Sequence, residues 1–312
     1  MKCIVIYFSQ TGNTEKIAKA IHNGLKQIAG YCDIVPIKAA NPRRLYEYDL
    51  IGLGSPVMDT EPANVTAFIN NLRFIGGKHA FSFCTHCTMG YIYNPRVVPQ
   101  LRKKGLVVIG WNDWYGSSWG PTPMPTPYPT DGHPDEIDLK DAEEWGRQLV
   151  WRSQRIYAGE NQIIPEGPEE FIPPALEDLN IIDNLHFQKI VKFSRQKCTY
   201  PRCRLCMDNC PLDGIDLTVE PPVIARPCLN CFFCEQICPT GAINVDEKDM
   251  DILHKWHTKT IRKTGVKYLA DAEARGHFRR LIPDEKVCWD TPFYKVHKNH
   301  PRIIIGKGYN EL

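Results

Sequence analysis

Lys2-Cys3-Ile4-Val5-Ile6-Tyr7-Phe8-Ser9-Gln10-Thr11-Gly12-Asn13-Thr14 passes from an apolar run directly into small hydroxyl, amide and glycine residues. A run of that length bounded by a turn signal reads as a buried strand, Lys2–Phe8, and the helix it leads to is expected over Thr14–Ile28. Backbone N–H groups at a helix start are unsatisfied donors at the positive end of the macrodipole. The Ser and Thr hydroxyls add neutral donors, and together they suit a phosphate. The loop lacks the lysine of a nucleotide-triphosphate P-loop, and Gly-x-Gly-x-x-Gly is absent. A plain helix cap would need one such residue, whereas several stand here together.

The same rhythm continues outward. Strands are expected at Cys32–Pro36, Leu50–Ser55, His79–Cys84 and Leu106–Gly110, alternating with helices at Val65–Asn71, Pro95–Lys104 and Leu139–Tyr157. That alternation predicts an α/β, doubly wound parallel sheet with helices on both faces over 1–157. In such sheets ligands sit beyond the carboxyl ends of the strands, where the strand order reverses.

Ser9-x-Thr11-Gly12-Asn13-Thr14 directly after a first strand resembles the FMN phosphate loop of flavodoxins. The resemblance implies a flavodoxin-like fold with FMN held by Ser9, Gln10, Thr11, Gly12, Asn13 and Thr14. Gly54-Ser55-Pro56-Val57-Met58-Asp59 resembles the flavodoxin loop along one side of the isoalloxazine, which implies contacts from Ser55, Pro56, Val57 and Met58. Cys84-Thr85-His86-Cys87-Thr88-Met89-Gly90 resembles the loop on the other side, adding Thr85, His86, Cys87 and Gly90. Neither loop offers an aromatic to the ring, so Met58 is the nearest expected contact, its thioether suited to a flat aromatic system. Cys84-x-x-Cys87 also has redox-motif spacing, with packing or a flavin contact as the alternative.

After the fifth strand, Trp111 to Trp119 and then six prolines between Pro121 and Pro134 read as a long, stiff insertion, neither helix nor strand. Its aromatics have apolar area to bury. The expectation is either a lid or docking surface beside the flavin edge or a loop packed on its own domain.

Eight of the thirteen cysteines stand in two runs, Cys198-x4-Cys203-x2-Cys206-x3-Cys210-Pro211 and Cys228-x2-Cys231-x2-Cys234-x3-Cys238-Pro239. Both resemble the iron–sulfur motif of two-cluster bacterial ferredoxins, in which the fourth cysteine of each run serves the other cluster. The resemblance implies two [4Fe-4S] clusters, one on Cys198, Cys203, Cys206 and Cys238, the other on Cys228, Cys231, Cys234 and Cys210. The first run is wider by two residues between its first cysteines, and the alternatives to Cys198 there are a three-iron cluster or another thiol such as Cys288. Each run ends in Cys-Pro and leads into an expected short strand, Ile215–Val219 and Ala242–Val245, an internal repeat. A small α+β ferredoxin-like domain is thus expected over 190–250, after a Pro-rich linker at 158–189 and before a C-terminal extension at 251–312. The whole resembles fused ferredoxin–flavodoxin proteins of anaerobes.

With 312 residues, 43% apolar, and a net charge of +2, nothing in the composition argues for nucleic acid. No apolar stretch approaches the roughly 20 residues of a membrane span, and the N-terminal strand pattern is unlike a signal peptide, so a cytoplasmic setting is expected. Residues 246–312 carry fourteen Lys and Arg against ten Asp and Glu. A helix is expected over Val266–Leu281, with Arg275, Arg279 and Arg280 favouring the negative end of its dipole. Cys3 and Cys32 read as small buried residues, and the lone histidines as surface or satisfied core groups. The expected function is electron transfer between FMN and the clusters, to or from a redox protein partner such as a ferredoxin or an oxidoreductase subunit. The alternative is a flavin-dependent reductase of a small unsaturated or carbonyl substrate, with His86 or Tyr115 as proton donor.

Overall fold

The structure, a computed structural model, describes residues 1–58, 60–88, 90, 92–118, 124–169, 191–296, 301 and 303. The chain divides into two compact units, Met1–Ser117 with Gly132–Ile172, and Ser118–Asp131 with Pro173–Leu312. The expected linker lies largely outside the described residues, as do Trp119 and Pro121–Pro123.

In the first unit β1 (Lys2–Tyr7), β2 (Tyr31–Pro36), β3 (Leu50–Pro56), β4 (His79–His86) and β5 (Val107–Tyr115) form one sheet in the order β2-β1-β3-β4-β5. All four pairings are parallel. This is the flavodoxin-like order, with its reversal between β1 and β3. Helices α1 (Asn13–Ala29), α2 (Ala63–Asn70), α3 (Tyr93–Lys103) and α4 (Glu136–Tyr157) complete it. Ile17, Ile21 and Leu25 of α1 share one buried core with Ala142, Leu149 and Val150 of α4 and with Val5, Phe81 and Ile109 of the sheet. Spacing of three and four along α1 places those residues on one face.

The fifth strand of this unit is longer than expected. β5 does not stop at Gly110; it stays paired with β4 as far as His86 opposite Tyr115. The polar pair Asn112-Asp113 concealed this, but β5 is an edge strand, where polar side chains are tolerated. Trp114 is therefore core and not lid: it is buried, its ring meets Trp145 edge-on at 5.5 Å, and its Nε1 donates to Asp141 at 2.9 Å.

In the second unit β6 (Val191–Phe193) pairs antiparallel with β7 (Ile243–Val245). The strand expected over Ile215–Val219 is only a bridge between Asp216 and Val223, because Asp216 Oδ1 accepts from the Thr218 N–H and turns the chain. Short helices α5 (Leu205–Asp208) and α6 (Phe233–Gln236) lie within the two cysteine runs and carry Cys206 and Cys234. The extension begins with α7 (Glu247–Thr260), widens through Ile261–Gly265 and continues as α8 (Val266–Ala274). The helix ends well before Leu281, so Arg279 and Arg280 lie beyond it. Arg280 instead pairs with Glu273 at 3.0 Å and Asp284 at 2.5 Å, which replaces the dipole role expected of it.

The Pro-rich insertion packs on this extension. Pro125 bridges Pro292, the Thr126 N–H donates to the Thr291 carbonyl, and the Phe293 N–H donates to the Met124 carbonyl. Fully buried Tyr128 meets Trp289 edge-on at 6.3 Å. Met124–Asp131 therefore packs on the extension and not on the sheet domain that precedes it in sequence, so a loop packed on its own domain does not describe it.

Candidate redox sites

The three loops singled out in the first unit meet at the carboxyl ends of β1, β3 and β4. Thr14 and Thr85, both buried, share a hydrogen bond between hydroxyls at 2.7 Å. The Val57 N–H donates to the Thr85 carbonyl at 2.8 Å. Asn13 Nδ2 reaches the Ser117 carbonyl, also at 2.8 Å, which ties the first loop to the end of β5.

Gly12 precedes α1 with φ 95°, the left-handed region that only glycine enters readily, and no side chain caps the helix. The first N–H groups are thus left to an acceptor from outside, and the loop supplies no carboxylate to repel one. Ser9, Gln10, Thr11 and Asn13 are half-buried around them. That donor set fits a phosphate monoester. Ser55 is fully buried and donates to the Pro56 carbonyl, so it supports its loop from beneath. Pro56, Val57, Met58 and Cys87 are half-buried, and Met58 folds back to bond Thr60. Gly90 is buried, whereas Asp59 and Met89 lie outside the described residues.

His86 brings partners that the sequence did not disclose. Its Nε2 lies 2.8 Å from Asp113 Oδ2, and its ring sits 4.5 Å from that of Tyr115. Both partners come from the unexpected extension of β5. His86 Nδ1 is buried and has no hydrogen-bond partner among the described residues. Cys84, by contrast, is unsuited to thiol redox chemistry. It is fully buried, and burial, helped by the Asp113 charge, holds its thiol well above the ordinary range. His79 is a satisfied core group, bonded to Ser153 at 2.7 Å and pushed down to about 4 by burial.

In the second unit cysteines of the two runs lie near one another. Burial raises the Cys206 thiol to about 12, and the neighbours that add to the rise are Cys238, Cys203 and Cys198. Burial likewise raises Cys231 to about 12, its thiol neighbours being Cys228 and Cys210. Burial holds the Cys234 thiol well above the ordinary range, and Cys231, Cys228, Cys210 and, least, Cys206 add to the rise. The wider gap after Cys198 closes as a turn, the Arg202 N–H donating to the Thr199 carbonyl at 3.0 Å. Cys288 is exposed and is not among these neighbours.

Buried thiols with such neighbours resist ionisation on their own, and a bound cation would favour their thiolate form. The backbone is already arranged for sulfur. Gly214 N–H donates to Cys210 Sγ and Ala242 N–H to Cys238 Sγ, both at 3.2 Å and both four residues on. The residues between, Asp213 and Gly241, are left-handed at φ 53° and 63°. The repeat seen in the letters is thus a repeat in geometry. Donors of this kind stabilise thiolate and tune a bound cluster.

A family model described as a flavodoxin domain matches residues 4–104. An uncharacterized ferredoxin of Methanocaldococcus jannaschii is 39% identical over 51 residues, which are 16% of this chain and 82% of that one. A ferredoxin of Methanothermococcus thermolithotrophicus is 34% identical over 59 residues, 18% of this chain and 98% of that one. Among solved structures, a flavodoxin from the domain Archaea aligns with a TM-score of 0.39 at 21% identity, over 49% of this chain and 99% of that one. No helix among the described residues is long and apolar enough to cross a membrane.

Proposed function

We propose, on the premise that this chain belongs to the ferredoxin family and joins a ferredoxin segment to a flavodoxin domain, that it relays electrons between FMN and two [4Fe-4S] clusters. FMN and iron–sulfur clusters are its cofactors. That there are two clusters, and which residues hold them, is our reading, as is a redox protein partner and a reducing, cytoplasmic setting.

The observation that carries the reading is the crossing of the cysteine sets. Cys206 has Cys238, Cys203 and Cys198 for neighbours, while Cys231 has Cys228 and Cys210, as has Cys234, on which Cys206 acts least. That is the exchange of fourth ligands that a two-cluster ferredoxin requires. Each cluster would pass electrons singly, and FMN would exchange one or two. The chain's own residues supply binding and tuning. Gly12, Asn13 and Thr14 would offer N–H groups to the FMN phosphate, with the Ser9 and Thr11 hydroxyls beside them. The Ser55–Met58 and Thr85–Gly90 loops would border its ring. Gly214 and Ala242 hold donors on Cys210 and Cys238.

A reductase is the second reading, and the His86–Asp113 pair is what favours it. A buried imidazole held at Nε2 by a half-exposed carboxylate is a suitable place to keep a proton, and Tyr115 lies against it. The two readings part in one experiment. Holoprotein reduced anaerobically with dithionite is mixed either with an oxidised [4Fe-4S] ferredoxin or with a panel of enones, quinones and aldehydes. The relay reading expects reoxidation by the ferredoxin and none by the panel. Reoxidation by a panel member, with the ferredoxin inert, would replace it with the reductase.

A further inference from the structure

The widening of the first cysteine run has no counterpart in the second, and the relay does not require it. Between Cys198 and Cys203 stand Thr199, Tyr200, Pro201 and Arg202, where the second run has Leu229 and Asn230. Tyr200 packs against the core of its unit, while Thr199, Pro201 and Arg202 are exposed. The extra length thus brings a cation to the surface beside the cysteines. Arg204 does the same at the next gap. Cys203-Arg204-Leu205-Cys206 corresponds to Cys231-Phe232-Phe233-Cys234, in which both phenylalanines are buried.

Arg195 and Lys197, on the short helical turn that leads into Cys198, are exposed as well. From Val191 to Met207 the chain carries five Lys and Arg and no Asp or Glu. Lys192 pairs with Asp246 at 3.5 Å and Arg204 with Asp208 at 3.4 Å, but Arg195, Lys197 and Arg202 hold no ion pair among the described residues. A set of cysteine ligands does not itself call for this charge. Between Cys228 and Cys238 the only charged residue is Glu235, which is buried. One half of the repeat is therefore sunk among apolar side chains, and the other is rimmed by cations that face solvent. We propose that the rim of Arg195, Lys197 and Arg202 is the docking surface for an acidic redox protein, which exchanges electrons with the cluster that the relay reading assigns to Cys198, Cys203, Cys206 and Cys238. An acidic face on the partner complements the rim and steers the encounter, and a basic protein is turned away. Each exchange moves one electron between the cluster and the partner's redox centre, and no bond is made or broken.

The inference rests on the relay reading and names its partner by charge. It is tested by rapid anaerobic mixing of reduced holoprotein with one of two one-electron acceptors, an oxidised acidic blue-copper protein or an oxidised basic c-type cytochrome, followed at cluster wavelengths. Reoxidation by the blue-copper protein should slow as salt is raised, and reoxidation by the cytochrome should quicken. Arg195→Glu, Lys197→Glu and Arg202→Glu together should slow the blue-copper reaction by about tenfold or more with iron and flavin contents unchanged. Lys26→Glu, Lys103→Glu and Lys140→Glu together make the same change in net charge at exposed positions of the first unit, and should slow it far less. Equal slowing by the two triple variants would reduce the effect to net charge and overturn the proposal. So would an unaltered rate in the first of them. Should that variant lose iron, Arg202→Gln decides: slower blue-copper reoxidation at full iron content supports the rim, and an unaltered rate overturns it. Failure of the relay reading shows elsewhere, as flavin and clusters that do not exchange electrons, and leaves the comparison of variants intact.

Discussion

Cys238→Ala should remove the cluster of the first cysteine run, leaving that of its own run in place. Cys238 is buried, and its sulfur accepts from the N–H groups of Ala242 at 3.2 Å and Ile243 at 3.5 Å, so the backbone holds it in one position. In that position it is the first thiol neighbour of Cys206. Iron should fall from about eight to about four per chain, the content of a single cubane. Double variants make the crossing visible. Cys206→Ala added to Cys238→Ala should remove no further iron, since both serve one cluster, whereas Cys231→Ala added to it should remove nearly all. The opposite pattern would return each run to its own cluster.

The second large effect is expected from a single methyl group. Gly214→Ala would place a Cβ 1.8 Å from the Pro227 carbonyl oxygen and 3.1 Å from the Arg226 nitrogen. Both are backbone, so neither can swing aside. The same glycine donates to Cys210 Sγ and accepts from the Arg226 N–H at 2.8 Å. It therefore joins Cys210 of one run to the strand of chain that leads into Cys228 of the other. Alanine should cost about 3 kcal/mol or more, at the upper end of overpacking effects, and should make the Cys210–Cys228–Cys231–Cys234 site lose iron first. Ala242, at the equivalent place in the second half, donates to Cys238 at the same distance, so a side chain there is compatible with the sulfur bond. Chemical denaturation and iron content check the variant. Full iron with unchanged stability would mean that the close approach to Pro227 does not hold that site together.

The sheet and both cysteine runs were legible because their signals are local. Apolar runs of strand length separated by helical periodicity fix a parallel α/β layer, and cysteine spacing is chemistry written in consecutive letters. What escaped depended on distant partners. β5 continues past Gly110 because β4 pairs with it, and nothing in Asn112-Asp113 alone announces a strand. The same extension brings Asp113 and Tyr115 to His86, so the most polar part of the first site was read as loop. One signal was available: Trp114 and Tyr115 are large enough to demand burial. The insertion and the extension looked unassignable for a related reason. Tyr128 and Trp289 each present an aromatic surface without a local partner, and they supply it to one another. Arg280 was misplaced because helix propensity carries no stop signal as strong as the ion pairs with Glu273 and Asp284 that follow it.

The central claim is that electrons pass within one chain between flavin and clusters. Rapid anaerobic mixing of oxidised holoprotein with less than one equivalent of dithionite, followed separately at cluster and flavin wavelengths, tests it most directly. The account predicts a redistribution phase between the two chromophores whose rate stays constant when protein concentration is varied by about tenfold, as an intramolecular step requires. A rate that rises in proportion to protein concentration, or chromophores that never exchange, would contradict it.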